Sequence, residues 1–161
     1  MLTIGKRFFM KLDTIDLKLL NLLQNDCKKT TKEYAHHLGL STTAVYERIK
    51  RLEKSKTIKS YVALVNTAQV DKSFTVFCHI KLVQHTRDYI KQFEREVLQL
   101  EEVVECHHLS GDYDYLLKIV VTDMEDYRNF MVSKLTAINH IGSTQSSFTI
   151  KEVKHSTVIP L

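Results

Sequence analysis

The sequence predicts an α+β chain in two parts. A winged helix-turn-helix of three helices plus a small ribbon comes first, and a ferredoxin-like βαββαβ domain follows. Three observations carry this. Ala35, Gly39 and Val45 stand in A-x3-G-x5-V spacing. The apolar period then changes, so that alternating and helical stretches follow in the order β-α-β-β-α-β. Charge changes sign between the same two parts: residues 1–66 carry 13 Lys/Arg against 6 Asp/Glu, a net +7, and residues 67–161 carry 10 against 13, a net −3. The expected domains are therefore 1–66, with an N-terminal arm and a connecting ribbon, and 67–161.

The first helix is expected over 13–25. Leu12, Ile15, Leu19, Leu22 and Leu23 recur at helical spacing, and Asp13 and Asp16 favour a helix start. The second is expected over 31–38, opened by a Thr30/Glu33 capping box and ended at Gly39, where a left-handed residue is needed. Ala35 is small enough for a close helix crossing. The third is expected over 42–54 with Ser41 as N-cap, although Ala44 cannot complete a box. Val45, Ile49 and Leu52 form its inner stripe. Its outer side carries Thr43, Glu47, Lys50 and Lys54, with Tyr46, Arg48 and Arg51 at the margins. Hydrogen-bonding tips and positive charge suit base edges and phosphates. Thr42, Thr43, Tyr46, Glu47, Arg48, Lys50, Arg51 and Lys54 are thus the candidate contacts to double-stranded DNA. Thr43 and Tyr46 are expected on bases, and Lys50 and Arg51 on phosphates. Glu47 can instead hold a neighbouring arginine.

Ile58 to Leu64 is β-prone and is expected as a small wing or ribbon, with the domain boundary at 66–72. Beyond it, Phe74, Val76, Cys78, Ile80 and Leu82 alternate as a strand. Ile90, Phe93, Val97 and Leu100 follow helical spacing, and Val103–Leu109 reads as a second strand. Ser110-Gly111-Asp112 is a turn signal. Tyr113, Tyr115, Leu117, Ile119 and Val121 alternate again. Asp123 caps a helix containing Met124, Tyr127, Met131 and Leu135, and Gly142 precedes a last strand with Phe148 and Ile150 on one face. Two helices should cover one sheet face. The other face carries Phe77, Val83, Leu116 and Val120, more apolar than a wet face needs to be. A second copy related by two-fold symmetry is the expected cover.

The chain of 161 residues carries a formal net charge of +4 and three cysteines, Cys27, Cys78 and Cys106. The cysteines are odd in number and far apart, which fits a reducing cytoplasm. No stretch is long and apolar enough to span a membrane. The opening MLTIGKRFFMKLD lacks the sustained apolar core of a secretory signal, so a cytoplasmic location is expected.

The stretches LDTIDLKLLNLLQND (12–26), HLGLSTTAVYERIKRLEKSKTIKSY (37–61), EEVVECHHLSGDYDYLLKIVVTDMEDY (101–127) and EVKHS (152–156) resemble the Lrp/AsnC (feast/famine) transcription regulators. That resemblance implies a DNA-binding winged helix-turn-helix and a sensing domain. It implies dimers that assemble further, commonly into octamers. It also implies a small effector, usually an amino acid, bound between sensing domains, with no cofactor. Carried onto this sequence, the effector site comprises Leu109, Ser110, Gly111, Asp112, Tyr113 and Asp114, with Met124 and the strand Gln145, Ser146, Ser147 and Phe148. Gly111 would let backbone N–H groups approach the ligand carboxylate, and Asp112 or Asp114 would accept from its ammonium. Leucine-responsive members carry bulkier apolar residues at 145–148, so the resemblance leaves the identity of the amino acid open.

Rival readings are weaker. Cys78-His79 and Cys106-His107-His108 offer metal ligands, but no C-x2-C or H-x3-H array accompanies them, so no metal is expected. Asp112/Asp114 and Ser146/Ser147 lack a nucleophile elbow or phosphate loop, so no enzyme is expected. A DNA-organising regulator without an effector differs little in sequence from a ligand-responsive one.

Overall fold

A computed structural model describes residues 11–161. The N-terminal arm, and the reading of it as lacking a secretory signal, lie outside the described residues. The chain forms two compact units. One is the chain up to Leu64 together with Lys154–Leu161; the other is Val65–Val153. Lys154–Leu161 thus packs with the helices, whereas the sequence groups it with the second domain. Gln24 shows why: its amide donates to the Ile159 carbonyl (3.1 Å) and accepts from the Ile159 N–H (2.8 Å), as a neighbouring strand would.

In the helical unit, α1 (Thr14–Asn25), α2 (Thr31–Leu38) and α3 (Thr42–Lys54) lie where periodicity and caps place them. Asp13 and Asp16 form a full capping box, as do Thr30 and Glu33. Leu19, Leu20, Leu23, Tyr34, Ala35, Val45 and Leu52 make the core. The Tyr34 hydroxyl donates to the Asp26 carbonyl at 2.6 Å and pins the connection between α1 and α2. Gly39 ends α2 with φ +65°, and its absent side chain would meet no atom within 4 Å. Gly39→Ala should therefore cost only backbone strain, about 1 kcal/mol. A denaturant midpoint unchanged from wild type would contradict this.

The expected ribbon at 58–64 forms no strand. Ile58 donates to Leu52 and packs on the core, but the chain from Lys59 onward finds no paired neighbour. Tyr61, Val62, Leu64 and Val65 are exposed. At the boundary, Thr67–Val70 makes a single 3-10 turn capped by Asn66, too short to leave a period in the sequence.

The second unit is an antiparallel sheet of β1 (Phe74–Leu82), β2 (Val103–His108), β3 (Tyr115–Val121) and β4 (Ile141–Phe148), in the order β2-β3-β1-β4. Helices α4 (Arg87–Val97) and α5 (Met124–Phe130) supply Phe93, Val97, Tyr127 and Phe130 to the core, which includes the inner residues of β1 and β3. A π turn, Met131–Leu135, continues α5 and seats Leu135 in that core. β2 and β1 are separated by β3, which holds Cys106 and Cys78 roughly 10 Å apart. Among the described residues no group of three or more His, Cys, Asp or Glu side chains could hold a metal ion, and no helix is long and apolar enough to cross a membrane.

Three sequence expectations change. β1 ends at Leu82 with a register shift, so Val83 does not join the second sheet face. β4 ends at Phe148, which leaves Ile150 fully exposed. Tyr113 precedes β3 and leaves its alternation: its ring lies 5.0 Å from that of His79, on the face away from the helices. On β1 and β3 that face carries Phe77, Leu116 and Val120 interleaved with Thr75, His79 and Lys118, Lys118 standing directly opposite Phe77. It has a polar margin of Glu105 and His107 on β2 and of Gln145 and Ser147 on β4.

Candidate DNA-binding and effector sites

The rotation of α3 decides which of its side chains are free. Ser41 accepts the Ala44 N–H at 3.2 Å, and Val45 and Leu52 are completely buried. Thr42, Thr43, Tyr46, Glu47, Lys50 and Lys54 consequently face solvent. Lys50 Nζ donates to Glu53 at 3.1 Å and stands 5.7 Å from the Tyr46 ring centre. This bond raises the Lys50 pKa and lowers that of Glu53. The Tyr61 hydroxyl donates to the other Glu53 oxygen at 3.1 Å. Burial first, and this bond second, push Tyr61 up to about 12. Glu47 pairs with no arginine among the described residues.

The two arginines reach back to α1, Arg48 with a quarter of its side chain exposed and Arg51 with nearly half (48%). Arg48 Nη1 reaches Asp13 Oδ2 at 2.7 Å and Asp16 Oδ1 at 2.6 Å. Arg51 Nη2 reaches both Asp16 oxygens at 2.7 Å. Both arginines thus tie α3 to α1. The Asp16 side chain is 1% exposed, and a buried carboxylate requires such partners.

In the second unit, the turn Leu109–Asp114 is closed by main-chain bonds: Leu109 N–H to Asp114 O and Asp114 N–H to Ile80 O, both 2.8 Å. Gly111 has φ +146°, a conformation that favours glycine, and the space where a Cβ would stand is empty to 4 Å. The two aspartates have different surroundings. Asp114 accepts the Leu82 N–H at 2.7 Å and bonds His85 Nε2 at 2.6 Å, so its carboxylate fastens the end of β1. Asp112 is exposed and has no hydrogen bond or ion pair among the described residues.

The strand segment 145–148 divides between the two sheet faces. Gln145 accepts from the Tyr113 hydroxyl across His79, and Ser147 lies beside Phe77 on the same face. Ser146 is on the helix face, 2.5 Å from the Tyr127 hydroxyl, and Phe148 packs edge-on against Tyr127. Met124, exposed at the start of α5, follows the far end of β3. Because β3 is about 20 Å long, the turn and Met124 cannot meet within one chain.

A helix-turn-helix with a free polar face, joined to a separate α+β unit, defines a DNA-binding regulator with its own ligand domain. Comparison with known proteins gives the family. Residues 12–53 match the AsnC-type helix-turn-helix domain, and residues 75–159 match the Lrp/AsnC ligand binding domain. The leucine-responsive regulatory protein of Escherichia coli (strain K12) is 40% identical over 151 residues, 94% of this chain and 92% of that protein. An AsnC family transcriptional regulator from Agrobacterium tumefaciens superposes with TM-score 0.88 at 35% identity, covering 92% of this chain and 97% of that one. A Neisseria meningitidis transcriptional regulator, solved as a complex with L-Met, superposes with TM-score 0.89 at 31% identity, covering 93% and 97%. The chain belongs to the Lrp/AsnC family of transcription regulators, which are not enzymes.

Sequence reasoning missed Asp16 as more than a helix opener. A signal was present: Asp13 and Asp16 are three apart on one helix, and Arg48 and Arg51 are three apart on another. His79 stood out in the sequence only as a candidate metal ligand, and nothing there pointed to its place between Tyr113 and Gln145.

Proposed function

We propose that this regulator binds a free amino acid at the Leu109–Asp114 turn, at a contact between copies, and that binding changes its assembly and its hold on DNA. The observation that carries this reading is the separation of the turn from Met124 along β3. If both belong to one site, two chains must supply them. A ligand there has contacts that exist only in some assemblies, and that difference in affinity is all that coupling requires. The exposed backbone at Gly111 suits the carboxylate, and the free Asp112 suits the ammonium. The relative solved with L-Met supports an amino acid as the ligand class. The test is calorimetry with each of the common free amino acids, paired with sedimentation. Heat of binding with a change in sedimentation supports the reading. No binding by any of them leaves an effector-independent regulator.

Self-association has two supports. The second sheet face partly exposes Phe77, Leu116 and Val120 among polar residues, more apolar surface than a wet face needs. The segment from Lys59 to Val65, in no helix or strand and without main-chain hydrogen bonds among the described residues, offers main-chain groups to the same segment of a second copy. Dimers formed this way would present two copies of α3 to a pseudo-palindromic site. Further assembly, up to the octamer that the family suggests, would use the ligand contact. A cytoplasmic location follows from DNA as the target.

On DNA, Thr42, Thr43, Tyr46 and Glu47 are placed for base edges, and Lys50 and Lys54 for phosphates. Lys50→Ala and Lys54→Ala should each lower the salt slope of binding by about 1 on any duplex. Slopes equal to wild type would remove both lysines from the backbone contacts.

A further inference from the structure

Asp16 is the only buried charged residue among those described, and its carboxylate is saturated. It accepts the Asp13 N–H at 3.1 Å, one bond from Arg48 and two from Arg51. The four acceptor sites of a carboxylate are all used. The acid also sits in the first turn of α1, where the helix dipole favours negative charge. Arg48 and Arg51 are three residues apart, so they form one edge of α3. That edge lies beside the free side that carries Glu47 and Lys54.

We propose that Asp16 is a positioning residue for the recognition helix: through Arg48 and Arg51 it fixes the rotation of α3. The assignment rests on the DNA contacts proposed for the free side of α3. The reason for two bidentate-capable arginines rather than more apolar packing is geometric. Val45 and Leu52 hold α3 down, but apolar contacts are non-directional and tolerate a small roll of the helix. A roll of about 20° moves side-chain tips near 6 Å from the axis by about 2 Å. Hydrogen bonds to base edges do not survive that displacement, while flexible lysines on phosphates do. The clamp should thus govern specificity and leave charge-driven affinity alone.

The test compares binding to a duplex selected from a random library by the wild-type protein with binding to an unrelated duplex, each over a salt series. Arg51→Lys keeps the charge but replaces the Nη2 that contacts both Asp16 oxygens with an ammonium on a shorter stem. Asp16→Asn keeps the shape but loses the charge. Both variants should lower the ratio of specific to unspecific affinity by about tenfold or more, the scale of one mismatched base pair, with the salt slope of wild type. Arg51→Gln should do the same. If instead Arg51→Gln lowers the slope by about 0.9 on both duplexes and Arg51→Lys is indistinguishable from wild type, Arg51 is a phosphate contact and the proposal fails. Should circular dichroism show Asp16→Asn unfolded, the Arg51 pair decides alone, because Arg48 still covers the carboxylate there. The lysine variants above test the free side separately, so failure of that reading is distinguishable from failure of this one.

Discussion

Leu116→Glu should convert the protein into a compact monomer in light scattering and weaken DNA binding at the same time. Leu116 lies on β3 between His79 of β1 and His107 of β2, on the face that also carries Phe77 and Val120. In a single chain this face is only partly covered, so glutamate there can reach water and the fold should survive. In a dimer the face is covered, and a carboxylate would be buried without a cation. Breaking a buried pair by removing one partner costs about 3–5 kcal/mol, and an unpaired buried acid belongs to the same class. Dimerisation should therefore weaken by a factor of about 10² to 10⁴. Lys118, the nearest cation on that face, is already bonded to Glu105 at 3.2 Å and cannot serve without breaking that pair. DNA binding would fall because a monomer reads only half a site. A variant that remains dimeric at low micromolar concentration would show that the pairing uses another surface.

Asp112→Asn should abolish the amino-acid response while leaving DNA binding without ligand unchanged. The aspartate is exposed and unengaged, so the fold loses nothing with its charge. A ligand ammonium would lose a charge-assisted hydrogen bond, worth about 1.5–3 kcal/mol, or tenfold to a hundredfold in affinity. Gly111→Val should act in the same direction from the backbone side. It clashes with nothing in the chain itself but places a branched residue at φ +146° and fills the approach to the turn. Asp114→Ala is a contrasting variant. It frees the Leu82 N–H and the His85 ring, so it should lower thermal stability as well as the response. If Asp112→Asn and Gly111→Val both respond fully, the ligand binds elsewhere.

Much of the fold was legible because its signals are local. Caps at Asp13, Thr30, Ser41 and Asp123 placed four helix starts, and the switch from helical to alternating period placed the sheet. What escaped depends on contacts distant in sequence. Tyr113 continues the alternation of β3 on paper, but the chain turns at Asp114 to bond Ile80, and the ring crosses to the other face. Ser146 and Gln145 are neighbours in sequence and therefore lie on opposite faces of β4, which divides the strand part of the candidate effector site. Arg51 looked like a free cation because nothing near it in sequence competes for it; its partner, Asp16, is 35 residues away. The segment 58–64 has the composition of a strand and no partner within the chain, so composition could not decide its state.

Ligand-dependent DNA binding by the wild-type protein is the most direct measurement. Affinity for a library-selected duplex, titrated with and without each common free amino acid at fixed salt, should shift by about 5- to 150-fold for at least one of them, the usual range of allosteric coupling. The same amino acid should change the sedimentation of the protein without DNA. Affinity and sedimentation that stay constant across the whole set would contradict an amino-acid-responsive regulator.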